Sequence, residues 1–447
     1  MIIRIENTFP GLVEKKVYLY RRKRKKRVLR RRLRGNMDFD YPGKLNAVST
    51  LLLKEFTKKG YIDKKYKEKE LVVPEHFSFK ANYDGCLLFF KKLLSSFYYR
   101  NGDLKINFSK CQETSNACFV LFDLLIKEMV NVQSRYNLNL FHKTYKRVVI
   151  TSPSRVDDKT NKYLIAFGYI SFQDVNNVKE NESFLPLGLI RGKNKSYHQS
   201  LKGHVSKRVV QFVENTLDRV DFKDFVKDKN AIDGLITEIL TNAEEHSVSN
   251  SEWYVNGISF HEDQHNVNVV EFNLSIINIG KSMYEGFEDT RERNADNYNL
   301  VDKMFETHKS LFTPWKKFER ESLFMLYMLN DGISRLKYEG DGRGNGTMHF
   351  ISSFLYLGRY GEENIEFNPM LNVISGHTVL TCDGKYKPSD ENANISILSL
   401  NKEKTLKSLP DSDYLCAHNE FFPGTILECK IYLNKDYFKK YIKNDGE

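Results

Sequence analysis

The chain has 447 residues, 40% of them hydrophobic and 13% aromatic, with a formal net charge of +11. That is enough apolar material to fill the cores of two or three domains, which excludes wholesale disorder. The positive charge is local, because residues 15–34, KKVYLYRRKRKKRVLRRRLR, hold 13 of the 69 Lys and Arg and no acid, and the remainder carries slightly more acid than base.

Residues 1–40 are therefore read as a basic N-terminal segment. A run of this kind binds polyanions by releasing their counterions, so nucleic acid through residues 15–34 is one expected partner. An anionic membrane surface and an acidic face of the same protein are the others. Next, LNAVSTLLLKEFTKKG predicts a helix ended by Gly60, and GCLLFFKKLLSSFYYRNG a second one closed by Asn101 and Gly102. LKINFS alternates as a short strand, and NACFVLFDLLIKEMVNV reads as a buried helix. RVVIT and YLIAFGYISF are expected to add strands, making residues 41–200 an α/β domain. The polar stretches NNVKENES and RGKNKSYHQSLKGH place a boundary near residue 200, and a second domain over 201–447.

That domain opens with VSKRVVQFVENTLDRV as a helix, and LITEILTNAEEHS follows as another. At about 100° per residue, Ile232, Leu235, Ile236, Ile239, Leu240 and Ala243 share one face. Glu238, Asn242 and Glu245 stand at i, i+4 and i+7 along its flank, as a solvated edge or as the wall of a seam between helix and sheet. WYVNGISF and VNVVEFNLSIINIG alternate as strands joined by HEDQH. A helical region is expected from about 296 to 338. It is followed by YEGDGRGNGTMHFISSFLYLGRYG, a glycine-rich turn entering a helix, and by the late strands NVISGHTVLTCDGKY and GTILECKIYL. The fold class is α+β, without internal repeats.

Cys86, Cys111, Cys118, Cys382, Cys416 and Cys429 form no CxxC pair and no zinc-type spacing, which fits buried thiols in a reducing cytoplasm. No run of 18 apolar residues and no apolar leader of signal-peptide type is present, so a soluble cytoplasmic protein without a transmembrane segment is expected.

Two motifs are decoys. HEDQH matches the zinc-protease pattern at His261, Glu262 and His265, but that chemistry needs a helix and these residues lie between two strands. Gly280, Lys281 and Ser282 follow a strand as the end of a P-loop does, yet Ser275 occupies the place of the required glycine and Ile276 and Ile277 continue the strand. DGRGNGT, with Gly342, Gly344 and Gly346, is a turn whose bare amides can approach phosphate at a helix N-terminus.

In this order, EILTNAEEH, IINIGKSM, GRGNGT and the late PGT resemble the N, G1 and G2 boxes and the terminal GT motif of GHKL ATPases, the group of gyrase B and histidine kinases. The resemblance covers roughly residues 205–435 and implies a two-layer α/β sandwich of Bergerat type. It implies ATP and Mg²⁺ as cofactors, Glu238 as the general base acting on water, and Asn242 as the Mg²⁺ ligand. Glu245 would stand behind these two, and His246 is read as structural. Asn278 would accept from the adenine amino group in place of the usual Asp, Gly280 would admit the base, and Thr425 would hold a water beside it. Gly342, Gly344 and Gly346 would wrap the phosphates, with Asn345 and Thr347 in the same stretch and Arg343 or Lys281 as charge partners. The roughly 60 residues between the G1 and G2 boxes would include a mobile lid.

GDLKINFSKCQETSNACFVLFDLLIKEM also resembles, faintly, a STAS domain. The leading expectation is an ATP-dependent conformational or dimerisation switch, a homodimer, in bacterial regulation or defence. The alternatives are an anti-sigma-type serine/threonine kinase acting on a small STAS-like partner, and a nucleic-acid-binding module with a degenerate ATPase site. A histidine kinase fits less well, since the nearest upstream histidine, His204, follows a polar stretch.

Overall fold

The computed structural model describes residues 2–4, 51–99, 103–140, 148–151, 158–170, 184–193, 199–218, 252–264, 267–313, 318–330, 346–358, 367–392 and 395–434. The basic run 15–34 and the helix expected around Glu238 lie outside these residues. Two compact units are formed, one from residues 1–75, 88–113 and 121–175, the other from 76–87, 114–120 and 176–447.

The first half of the chain carries β1 (Ile2–Arg4), α1 (Leu51–Lys58), β2 (Glu70–Val72), β3 (His76–Phe77), α2 (Phe79–Tyr99), β4 (Leu104–Asn107), β5 (Glu113–Thr114), α3 (Asn116–Leu140), β6 (Val148–Thr151) and α4 (Asp158–Ala166). In the first unit the sheet order is β1-β6-β4-β2, with β2, β4 and β6 parallel and β1 antiparallel at the edge. Parallel neighbours need crossovers, and the helical runs between them supply these. Leu104 and Ile106 are buried while Lys105 is exposed, the period-2 pattern of a strand with one face on a core. Phe90, Leu93, Leu94, Phe122, Leu125, Ile126 and Met129 are buried in the same unit.

YLIAFGYISF departs from expectation: Tyr163 to Ala166 end α4 instead of forming a strand. A short run of consecutive apolar residues fits either period, but Thr160, Tyr163 and Leu164 are buried at helical spacing. Gly168, at φ +77°, closes the helix by donating to the Ile165 carbonyl.

The second half carries β7 (Phe184–Pro186), β8 (Ile190–Lys193), α5 (Gln199–Asp218), β9 (Glu252–Gln264), β10 (Val267–Ile279), α6 (Met283–Glu288), α7 (Ala295–Lys309), α8 (Arg320–Met328), α9 (Gly346–Leu357), β11 (Met370–Cys382), β12 (Ser389–Asn392), β13 (Ile395–Ile397) and β14 (Leu415–Asn434). The continuous helical region expected over 296–338 is thus α7 and α8 with a break between them, and residues 331–338 lie outside those described. The larger sheet runs β11-β14-β10-β9-β7, with β8 also on β9, all antiparallel. One face packs Val255, Val270, Phe272, Leu274, Val373 and Ile431 against Val209 and Phe212 of α5, Phe287 of α6, Val301 of α7, Phe324 of α8 and Ile351 of α9. The architecture is mixed α+β, with a helix layer on one face of this sheet.

The opposite face carries a polar row straight across four strands. Asn256 of β9 faces Ser275 of β10, Ser275 faces Glu428 of β14, and Glu428 faces Asn372 of β11. All four are buried. The first turn of α3 roofs the row: Ala117 donates its amide to Glu428 Oε1 at 2.8 Å, and Asn116 Nδ2 donates to Ser275 Oγ at 2.8 Å. Asn372 Nδ2 donates to Glu428 Oε2 at 3.2 Å. A carboxylate at a helix N-terminus meets unpaired amides and the positive end of the dipole, which offsets part of the cost of burying it. Burial nonetheless outweighs these donors and raises the Glu428 carboxyl above its ordinary value.

β11 and β14 pair as a long ribbon that bends sharply. Thr381 Oγ1 donates to Asn372 Oδ1 at 2.9 Å, nine positions earlier on the same strand. A straight strand would separate them by roughly 30 Å. The bend falls where the pairing slips on either side of Gly376, at φ +60°.

Candidate functional site

Of the residues the sequence assigns to a nucleotide site, the structure describes Asn278, Gly280, Lys281 and Thr425, together with the backbone of Gly346 and Thr347 where α9 begins. Glu238, Asn242, Glu245, His246, Gly342, Arg343, Gly344 and Asn345 lie outside the described residues.

Asn278 and Thr425 are brought together. They face each other across the β10–β14 pair, on the helix-facing side shared with Phe272, Leu274 and Ile276. Asn278 is 6% exposed, and Thr425 is half-buried. The pairing ends directly beyond them: Ile279 faces Gly424, and Gly280 donates its amide to the Pro423 carbonyl at 3.1 Å. Gly424 sits at φ +141°, and a Cβ there would collide with the Asn278 carbonyl oxygen. Glycine at this point is demanded by the close passage of two backbones.

A third side chain, Ser375 of β11, completes the row. Its Oγ lies 3.0 Å from Thr425 Oγ1, donates to the Gly424 carbonyl at 2.9 Å and accepts the Met283 amide at 2.8 Å. Sequence reasoning missed it. The signal was the Ser-Gly pair inside VISGH, small residues interrupting a strand that otherwise reads apolar.

Ser282, which replaces the second glycine of the G1 pattern, has a local task. It caps α6, its Oγ accepting the Glu285 amide at 3.1 Å while Glu285 Oε2 accepts the Ser282 amide at 3.0 Å. Lys281 is ion-paired with Asp289 at the other end of α6, both half-exposed. Glu321 of α8 reaches the same neighbourhood: its Oε1 accepts the His377 amide at 3.0 Å, and a Cβ on Gly376 would meet both Glu321 and Ser282.

The two decoys take their places in the sheet. Ile276 and Ile277 are in full register with Leu427 and Ile426, so strand occupies the position a P-loop would need. His261 and Glu262 belong to β9, His265 lies outside the described residues, and no group of three or more His, Cys, Asp or Glu that could hold a metal exists among the described residues. No helix there is long and apolar enough to cross a membrane.

No protein-family model, curated protein or solved structure matches the chain.

Proposed function

We propose that residues 201–447 bind ATP with Mg²⁺ and hydrolyse it, the bound nucleotide acting as a conformational switch. One observation carries the reading: the helix-facing side of the larger sheet, apolar along β10 through Phe272, Leu274 and Ile276, turns polar at Asn278, Thr425 and Ser375 where β10 ends and its pairing with β14 stops. A planar base presents a donor–acceptor edge and apolar faces, and the Asn278 amide beside the half-buried Thr425 hydroxyl, with Ser375 fixed behind it by Gly424 and Met283, is a polar pair at the edge of an apolar layer that suits it. Gly280, next after the strand, leaves room for close approach.

On this reading the remaining groups come from the GHKL resemblance. Asn242 supplies an oxygen ligand to Mg²⁺, a hard cation that prefers oxygen. Glu238 accepts the proton of the water that attacks the γ-phosphate, from within one water of it. Gly342, Gly344 and Gly346, the last at the start of α9, would hold the phosphates through backbone amides. The mixed α+β architecture with helices on one face of the sheet is compatible with a two-layer sandwich.

Equilibrium binding and turnover test the proposal. Wild-type protein should bind Mg-ATP saturably and release orthophosphate; transfer of label to protein instead would identify a hydroxyl acceptor. Glu238→Ala should retain the nucleotide while turnover falls at least about a hundredfold. Asn242→Ala should weaken Mg-nucleotide binding itself. Absence of Mg-dependent ATP binding by folded wild-type protein would end this reading.

A further inference from the structure

The bend of the β11–β14 ribbon encloses a cleft of about 430 Å³ that the nucleotide reading leaves unused. One wall comes from the sheet, with Lys430 and Tyr432 on β14. The other comes from the folded-back half and its connection, with Lys385 and Tyr414, and Lys80 of α2 also lines the cleft. All belong to the second unit.

Its lining is unusual in charge. The Lys80 and Lys385 ammonium groups lie 5.6 Å and 4.7 Å from the centre of the Tyr414 ring, so two like charges share one aromatic ring. The Lys430 ammonium stands 5.6 Å from the Tyr432 ring centre. Asp411 balances Lys385 at 3.0 Å. Partial burial pushes the Asp411 carboxyl up, but the Tyr386 hydroxyl, the Asp413 amide and Lys385 outweigh it and hold it at about 2, so it is ionised at neutral pH. Asp383 accepts the Tyr414 hydroxyl at 2.7 Å and the Lys385 amide at 2.9 Å. Asp413 is an exposed lining residue whose main-chain carbonyl, not its carboxylate, accepts from Lys80 at 2.8 Å. Lys80 and Lys430 have no carboxylate ion pair among the described residues. Among these residues Lys430 is offset only through its longer-range attraction to the buried Glu428, and Lys80 shares one ring with Lys385, so Coulomb repulsion between the latter two ammonium groups is left for a bound anion to relieve beside Asp383 and Asp413.

We infer that this cleft is a binding site for a small, multiply charged anion of the phosphate-ester class, held by Lys80 and Lys430 with Lys385 at the rim. Lysine meets phosphate as a point charge with three rotatable donors, and needs no planar partner. The cleft volume is that of a small-molecule site, and the tyrosine rings lend apolar walls against which ion pairs are less screened than on an open surface.

Titration calorimetry of the full-length protein with pyrophosphate, at constant ionic strength set by chloride, tests the inference. Saturable binding is expected, weakened at least tenfold by Lys80→Gln combined with Lys430→Gln. Lys80→Arg with Lys430→Arg should retain it, and circular dichroism should match wild type in both. Mg-ATP binding should be unchanged in the Gln pair, which separates this site from the nucleotide site: loss of ATP binding in wild type would leave the cleft result standing. Heat that grows without saturating, or saturable binding unaltered by the Gln pair, would overturn the assignment, and so would loss of binding in the Arg pair while its fold is intact.

Discussion

The two faces of the larger sheet each carry a polar row across neighbouring strands, three positions apart along β10, and they are built in opposite ways. The row Asn256–Ser275–Glu428–Asn372 is buried throughout and roofed by the first turn of α3, whose amide and side chain occupy its acceptors. The row Asn278–Thr425–Ser375 lies where β10 ends, and its middle hydroxyl is half-buried between two buried neighbours. Residue type does not separate the two, since both combine amides with hydroxyls. What separates them is the carboxylate and its cover: a buried charge must be held by fixed donors, so that row is committed to the fold, whereas a neutral row at a rim can exchange partners with a ligand at small cost.

The strongest blow to the rim row is steric. Gly424→Val places a branched Cβ against the Asn278 carbonyl oxygen and asks valine to adopt φ +141°. The expected cost is about 3 kcal/mol or more, read as a large drop in Tm by calorimetry. A near-wild-type Tm would mean that β10 and β14 can part at this point.

The roofed row should answer chiefly to the loss of its charge. Glu428→Ala leaves the Ala117 amide and the Asn372 amide group without their acceptor inside the protein, an expected loss of about 2–4 kcal/mol in urea unfolding. The pH profile gives a second reading. Because the folded carboxyl is raised above its ordinary 4.5, its contribution is fully present below that value and is lost as pH rises through the folded pKa. Glu428→Gln should abolish this part of the pH dependence, and a variant whose stability profile parallels wild type above pH 4.5 would show that Glu428 is ionised in both states.

How much of this was legible beforehand follows from the range of the interactions. The β9–β10 hairpin could be read from alternation and β-branching, because its pairing is local and each strand carries its own period. The short strands β7 and β8 could not. They flank Gly188 at φ +76° in a stretch bordered by polar residues, and only pairing with β9 makes them strands. Likewise, nothing in NACFVLFDLL announces that Ala117 will meet Glu428, 311 positions away. Asn278 was legible as a candidate from its motif, but its adjacency to Thr425 is a product of register, and Ser375 carried no motif at all. Ser282, which stands where the G1 pattern has glycine, is also a helix cap with its reciprocal Glu285 three residues on.

That capping box gives the third test. Ser282→Ala removes the acceptor for the Glu285 amide, while Glu285 can still accept from position 282. The expected cost is about 1 kcal/mol. Ser282→Gly, which restores the glycine of the resembled pattern, should cost no more than the alanine change; a larger loss would show that the serine hydroxyl does more than cap α6.

The smallest expected effect on stability decides the comparison. Thr425→Val keeps the branched shape that a strand favours and removes only a hydroxyl that is half-buried. Ser375 Oγ, its partner, keeps the Gly424 carbonyl and the Met283 amide, so no buried group is stranded. The loss should stay within about 0.5–1 kcal/mol, the net worth of one neutral hydrogen bond. If the rim row holds a base, the same change should weaken Mg-ATP binding about tenfold, which corresponds to about 1.4 kcal/mol. Measured side by side, Glu428→Ala should move stability far more than Thr425→Val, and Thr425→Val should move affinity beyond anything its Tm explains. Were Thr425→Val to cost as much stability as Glu428→Ala and leave ATP affinity alone, the rim row would be a second structural rung, and the nucleotide reading would lose the observation on which it stands.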